Sequence, residues 1–356
     1  MKNYEKGVAP YESITGDSYI LKKITELKNE LRDDLVILGH HYQRDDVIQF
    51  ADVTGDSLIL SQQAAKMKKK HIVFCGVYFM AECADILTDD EQTVYLPDLN
   101  AGCAMADMAK IKDVESVWRH LTKKTNDKII PITYINSSAE IKYFVGKNDG
   151  IICTSSNAPK IFDWAMEKGE KILFLPDQFL GMNTAISKGI PKEAVFTLKR
   201  LPGEDEIANT KVFLWNGYCS VHKRFVLDDI IKMRDTFPGI NIVVHGECTA
   251  DVVKASDAFG STSTIIKLVK NGKSGSIWGI GTEQHLVNRL QEQFPDKVIM
   301  PLSEKGFQCV TMSMITPENL FETLQEIKDG KTRHRVKVES EIKDYAKIAL
   351  MRMLGL

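Results

Sequence analysis

The sequence has no apolar run approaching the roughly 20 residues that cross a bilayer. Its N-terminus is polar and mixed in charge, without the apolar stretch of a secretory signal, so none is expected. Neither sign of charge dominates: 46 Lys and Arg stand against 48 Asp and Glu, a formal charge of −2. Bulk electrostatics therefore give a nucleic-acid partner no support. None of the seven cysteines lies within two to four residues of another, which argues against a zinc finger or ribbon. No G-x-x-x-x-G-K-[ST] run is present, which sets aside a P-loop NTPase. Gly279-Ile280-Gly281-Thr282-Glu283 lacks the third glycine of a dinucleotide fingerprint. Cysteines in a chain without a signal are expected to be reduced thiols in the cytoplasm.

What is present is repetition. At 356 residues, with 44% hydrophobic and 26% charged residues, the chain has globular composition and suits two or three domains. Three stretches follow one plan: an apolar strand with a polar end, a Ser/Thr loop opening a helix, further strands, and a turn bearing a cysteine. The strand ends are 35–40 with His40 and Tyr42, 129–134 with Tyr134 and Asn136, and 242–245 with His245 and Glu247. The loops are Thr54-Gly55-Asp56-Ser57, Thr154-Ser155-Ser156-Asn157 and Gly260-Ser261-Thr262-Ser263. The turns carry Cys103, Cys219 and Cys309. His40 to Cys103 spans 63 residues and His245 to Cys309 spans 64, whereas the longer middle unit carries insertions at 142–150 and 187–211.

Strands alternating with helices predict parallel sheets joined by right-handed crossovers. The expected fold is α/β: three similar α/β/α domains around a pseudo-threefold axis, with the site at the centre. Expected boundaries are an arm over 1–18, units over 19–112, 113–225 and 226–330, and a C-terminal segment over 331–356. Within that last segment an amphipathic helix is expected over 336–354, docked on the body or at a dimer contact. Apolar spacing predicts another helix over 19–32.

Residues at the carboxyl ends of parallel strands face the crevice where ligands bind. His40 with Tyr42, Tyr134 with Asn136, and His245 with Glu247 are i, i+2 pairs sharing a face there. His suits proton transfer near neutral pH, Glu247 can act as a base or bind a metal, and the tyrosines can polarise a carbonyl or shuttle a proton. Ser57, Ser155, Ser261 and Thr262 stand at helix N-termini, where hydroxyls cap the helix and free amides favour anions. Three thiols from distant segments can bind zinc with an open position, or an iron–sulfur cluster with one iron lacking a protein ligand. Cys75 and Cys153 read as buried strand residues, and Cys83 lies on a helix away from the turn.

These motifs resemble quinolinate synthase, an iron–sulfur enzyme family of NAD biosynthesis. The resemblance rests on Gly39-His40-His41-Tyr42-Gln43, Gly55-Asp56-Ser57, Tyr95-Leu96-Pro97-Asp98-Leu99-Asn100-Ala101-Gly102-Cys103 and Tyr134-Ile135-Asn136-Ser137-Ser138-Ala139-Glu140. It continues through Cys153-Thr154-Ser155-Ser156-Asn157, Gly217-Tyr218-Cys219-Ser220-Val221-His222, Gly260-Ser261-Thr262-Ser263 and Gly281-Thr282-Glu283. It implies condensation of iminoaspartate with dihydroxyacetone phosphate to quinolinate, releasing phosphate and two waters. It implies one [4Fe–4S] cluster per chain on Cys103, Cys219 and Cys309, its fourth iron open as a Lewis acid. It also implies catalytic roles for Tyr42, Tyr134, His245 and Glu247, and substrate binding by His40, Ser57, Asn136, Ser155, Ser261 and Thr262. An enzyme oxidising L-aspartate is the implied source of iminoaspartate, and the chain is expected as a monomer or homodimer. Where the family usually has His-Pro-Glu-Cys, this chain has His245-Gly246-Glu247-Cys248. Rival readings are a cluster-dependent reductase of a diphosphate, which needs an electron donor, a cluster-bearing sensor, and a zinc hydrolase.

Overall fold

The structure is a computed structural model describing residues 18–356. The arm expected over 1–18 lies outside the described residues except for Ser18, which already opens the helix Ser18–Leu31. That helix buries Ile24 and Leu27 and packs against the helix Pro317–Lys328.

Three sheets form, as the repeats predict. The first contains β1 (Leu35–His40), β2 (Val53–Gly55), β3 (His71–Cys75) and β4 (Thr93–Tyr95). The second contains β5 (Ile129–Tyr134), β6 (Ile151–Cys153), β7 (Lys171–Leu175), β8 (Val195–Leu198) and β9 (Val212–Trp215). The third contains β10 (Asn241–His245), β11 (Ala258–Gly260), β12 (Ile277–Gly281) and β13 (Val298–Pro301). Their orders are β4-β3-β1-β2, β6-β5-β7-β9-β8 and β11-β10-β12-β13. In each, the unit's first strand lies between its second and third, and these pairings are parallel. β1 and β5 are buried at every residue, as expected of parallel strands covered on both faces.

Register repeats too. His40 pairs with Gly55, Tyr134 with Cys153 and His245 with Gly260, so three strand ends occupy one structural position. Three residues before those partners stand Asp52, Gly150 and Asp257. Asp52 accepts the Ile37 N–H at 2.8 Å, and Asp257 accepts the Ile242 N–H at 2.7 Å. In the second unit the equivalent residue is Pro131, which has no N–H to satisfy. Gly150 stands there instead, and a methyl group on it would overlap the Pro131 carbonyl oxygen.

The middle unit's insertions have definite structures. Residues 142–150 extend the helix Ala139–Lys147, where the first unit has only the short helix Asp45–Ile48. Residues 187–211 build the edge strand β8 and the helix Glu204–Asn209. The C-terminal segment departs from expectation: its helix is Ser340–Leu354, and Arg335–Val336 forms β14, antiparallel to β4. The reason is visible in the alternation of exposed Arg335 and Lys337 with buried Val336 and Val338, a strand period rather than a helical one. The helix then lies across Ala139–Lys147, where Gly146 lets it approach: a methyl there would overlap the Tyr345 carbonyl oxygen. Among the described residues, no helix is long and apolar enough to cross a membrane.

Candidate functional site

A cavity of about 670 Å³, counting the space open at its mouth, lies where the three units meet. It is lined from the first unit by His40, Tyr42, Ser57 and Cys103, and from the second by Tyr134, Asn136, Ser155 and Cys219. The third contributes His245, Glu247, Thr262 and Cys309. Ser261 does not line it: its hydroxyl caps the following helix by accepting the Thr264 N–H at 3.2 Å. Three residues that sequence reasoning did not single out are central: Asp56, His222 and Thr282. Each stood inside a motif already quoted, but proximity in sequence did not reveal its partner across a unit boundary.

One hydrogen-bonded chain joins five side chains. The Tyr42 hydroxyl lies 2.7 Å from Thr282 Oγ1, and Thr282 Oγ1 lies 3.1 Å from His222 Nε2. His222 Nδ1 lies 2.9 Å from Glu247 Oε2, and the Tyr134 hydroxyl donates to Glu247 Oε1 at 2.6 Å. An ionised carboxylate only accepts, so His222 presents a proton on Nδ1 to it, and in that tautomer of the imidazole Nε2 is the acceptor. His245 stacks on His222, ring centroids 4.2 Å apart.

The electrostatics follow from burial. Burial disfavours the Glu247 carboxylate, but the imidazoles of His245 and His222 and the hydrogen bonds from His222 and Tyr134 outweigh it, holding its pKa at about 2. Burial and then the neighbouring His222 push His245 down to about 3. It is therefore neutral near pH 7, where hydrogen bonds from Tyr134 and His222 carry the stabilisation of Glu247. Burial, then the charge of Glu247, raise both Tyr42 and Tyr134 well above the usual phenol value, so both stay protonated. Burial holds His40 neutral as well, at about 3. Asn136 keeps a buried Oδ1 without a hydrogen-bond partner on the cavity wall, an acceptor suited to a bound donor.

Gly246 leaves Glu247 well held. Its N–H donates to the Gly260 carbonyl at 3.0 Å, a bond proline could not make. Asn183 Nδ2 donates to the carbonyls of Gly246 and Cys248 at 2.9 and 2.8 Å, clamping the turn from the second unit.

The three thiols are free and half-buried. Burial first, then Cys309 among the neighbouring charges, pushes Cys103 up to about 12. Burial, Glu247 and the other two thiols raise Cys219 well above the usual thiol value, and burial raises Cys309. Three clustered thiols beside a carboxylate become thiolates only with a compensating cation, so this donor set fits a thiolate-bound metal centre. Two loops are held for it by buried acids. Asp177 accepts the Cys219 N–H at 3.1 Å, and Glu283 accepts the Cys309 N–H at 3.2 Å. Cys219, His222 and Glu247 also place ligand atoms within 4.8 Å of one another. There, however, the facing atoms of His222 and Glu247 are spent on each other. Cys75 and Cys153 are buried in strands, and Cys83 lies beside Lys142 on the helix Tyr78–Leu87.

Comparison with known proteins agrees with the geometry. A model of the family described as Quinolinate synthetase A protein matches residues 22–355. The quinolinate synthase of Halalkalibacterium halodurans is 49% identical over 338 residues, covering 94% of this chain and 92% of the relative. That of Anoxybacillus flavithermus is 48% identical over 339 residues, with coverage of 94% and 92%. That of Bacillus cereus (strain AH187) is 46% identical over 359 residues, covering 98% of both.

Proposed function

The chain belongs to the quinolinate synthase family of NAD biosynthesis, and from that premise we propose that it condenses iminoaspartate with dihydroxyacetone phosphate to quinolinate, phosphate and two waters. The observation that carries this reading is the continuous relay from Tyr42 through Thr282, His222 and Glu247 to Tyr134, whose two tyrosine ends both line the cavity. Ring closure by two dehydrations requires protons to be taken from carbon or nitrogen and delivered to leaving oxygens. No electron donor enters the balance.

The relay carries a proton from substrate to His222, so the negative charge left on the substrate is matched by an imidazolium held beside Glu247. When the Tyr42 oxygen takes a proton, its own passes to Thr282, and the threonine proton passes to His222 Nε2. The imidazolium formed is stabilised by Glu247, whose negative charge lies 2.9 Å away. This is the logic of a base oriented and balanced by a buried acid. Reversal of the same path delivers the proton to a leaving hydroxyl. Tyr134, donating to the other oxygen of Glu247, fixes that carboxylate and faces the cavity beside Asn136. Ser57, Ser155 and Thr262 offer hydroxyls to the phosphate and carboxylate groups. His40, uncharged, offers a hydrogen bond without a competing cation.

Cys103, Cys219 and Cys309 would hold a [4Fe–4S] cluster, one per chain, with one iron lacking a protein ligand. Bound there, it supplies a Lewis acid for substrate oxygen. The free thiols are consistent with the cytoplasm. An L-aspartate-oxidising enzyme would supply iminoaspartate.

The test is quinolinate formation from the two substrates by anaerobically purified protein with no reductant added. Turnover that depends on an electron donor would favour the diphosphate reductase instead.

A further inference from the structure

Asp56 is the only side chain through which hydrogen bonds join all three Ser/Thr loops among the described residues. It is buried, and its two oxygens have separate partners. Oδ1 accepts the N–H groups of Leu58 and Ile59 and so caps its own helix, Ser57–Ala64. Oδ2 accepts two hydroxyls, from Ser156 of the second unit and Ser263 of the third, each at 2.7 Å. Ser156 is exposed and Ser263 half-buried, so the knot lies at the solvent edge of the cavity.

The neighbours of these three residues in sequence matter. Ser57 follows Asp56, Ser155 precedes Ser156, and Thr262 precedes Ser263. Each of these neighbours lines the cavity. In the second and third loops, then, one residue is tied at the knot and the adjacent one faces the space a substrate would fill; in the first, Asp56 and Ser57 both line it. Hydrogen bonds to a charged acceptor are stronger than neutral ones, so a single carboxylate oxygen can hold two loops from different units in register. Burial disfavours the charge on Asp56, but Ser263, Ile59, Ser156 and His40 outweigh it and lower its pKa.

We propose that Asp56 is a positioning residue: by drawing Ser156 and Ser263 onto one oxygen, it sets the Ser57, Ser155 and Thr262 hydroxyls at the spacing that binds the anionic groups of the substrate. The inference rests on the proposed substrate class, but the tie itself does not.

Asp56→Asn separates the two halves of the residue. The amide oxygen keeps the helix cap, while the NH2 group can only donate to the serine hydroxyls, so two charge-assisted bonds give way to neutral ones of reversed direction. Ser156→Ala with Ser263→Ala removes the same tie and leaves the cap untouched. Amide hydrogen exchange of 154–158 and 261–265 is measured alongside steady-state kinetics and iron content. For both variants the expected result is faster exchange in both loops, a KM for the phosphate-bearing substrate raised about tenfold, kcat within a few-fold of wild type, and unchanged iron. Adding the serine changes to Asp56→Asn should cost less than the two separate losses summed, because all of them act on one tie. Unchanged exchange in both loops would overturn the tie. Additive losses, or a fall in kcat with KM unchanged, would overturn the positioning role. A protein that forms no quinolinate even as wild type would overturn the proposed function, and the exchange comparison would still decide the tie.

Discussion

Replacing Glu247 with Gln changes one atom and breaks the relay at its charged point. The carboxylate accepts two hydrogen bonds, from Tyr134 at 2.6 Å and His222 at 2.9 Å. An amide has one accepting oxygen and one donating nitrogen. If its oxygen faces Tyr134, its NH2 meets His222 Nδ1, which must give up its proton. Nε2 then becomes a donor toward Thr282 and can no longer take the proton that Tyr42 sends. If the amide turns over, the tautomer survives, but no negative charge balances the imidazolium. Hydrogen bonds to a charged partner are worth about 1.5–3 kcal/mol, and two are affected. At about 1.4 kcal/mol per factor of ten, the loss spans about 10²- to 10⁴-fold, the range general acid–base catalysis supplies. The assay is anaerobic quinolinate formation, with iron and acid-labile sulfide measured on the same preparation. We expect kcat and kcat/KM to fall together with iron retained, the signature of an interaction made in the transition state. Turnover close to wild type at full iron content would remove Glu247 and the relay from the mechanism.

Thr282→Val removes the hydroxyl between Tyr42 and His222. Because Tyr42 already lies 3.4 Å from His222 Nε2, a direct path remains and turnover should fall less than for Glu247→Gln; an equal or greater loss would show that Thr282 does more than pass a proton. Ser57→Ala with Thr262→Ala should raise the substrate concentration needed without changing iron content, and unchanged affinity would refute the role of these hydroxyls. His40 is held at about 3 against a usual value of 6.5, so the unfolded chain binds the extra proton between those values. Its contribution to stability is therefore present above pH 6.5 and lost as pH falls toward 3. His40→Gln should flatten the fall of the denaturant midpoint across that window, and an unaltered slope would show that His40 is charged in the folded protein. Gly146→Ala should lower stability by about 1–3 kcal/mol or more through overlap with the Tyr345 carbonyl, read as a lower melting temperature; no change would mean that the C-terminal helix does not dock there.

The repeat was legible because it is written in residue types that survive folding unchanged: apolar strands, capping hydroxyls and a cysteine at a fixed distance. Even the insertions at 142–150 and 187–211 could be read, since they lengthen one unit relative to two others. β14 was missed because two alternating valines ahead of a strong amphipathic helix look like its first turn, and only the edge of β4 makes them a strand. That the residues at equivalent strand ends would meet in one cavity was legible from that equivalence. His222, Thr282 and Asp56 were not, because each draws its importance from partners in other units: His222 from Glu247, Thr282 from Tyr42, and Asp56 from Ser156 and Ser263. Distances between units are set by packing, and no local pattern encodes them. Ser261 illustrates the converse, since a hydroxyl at a helix N-terminus can be spent entirely on its own cap.

The proposed chemistry requires Cys103, Cys219 and Cys309 together to carry an iron–sulfur cluster in the cavity that the relay lines. It is tested most directly by iron and acid-labile sulfide per chain in anaerobically purified protein, with Cys219→Ala alongside. About four of each in the wild type and far less in the variant is the predicted result. Zinc without sulfide, or a full cluster in the variant, would contradict it.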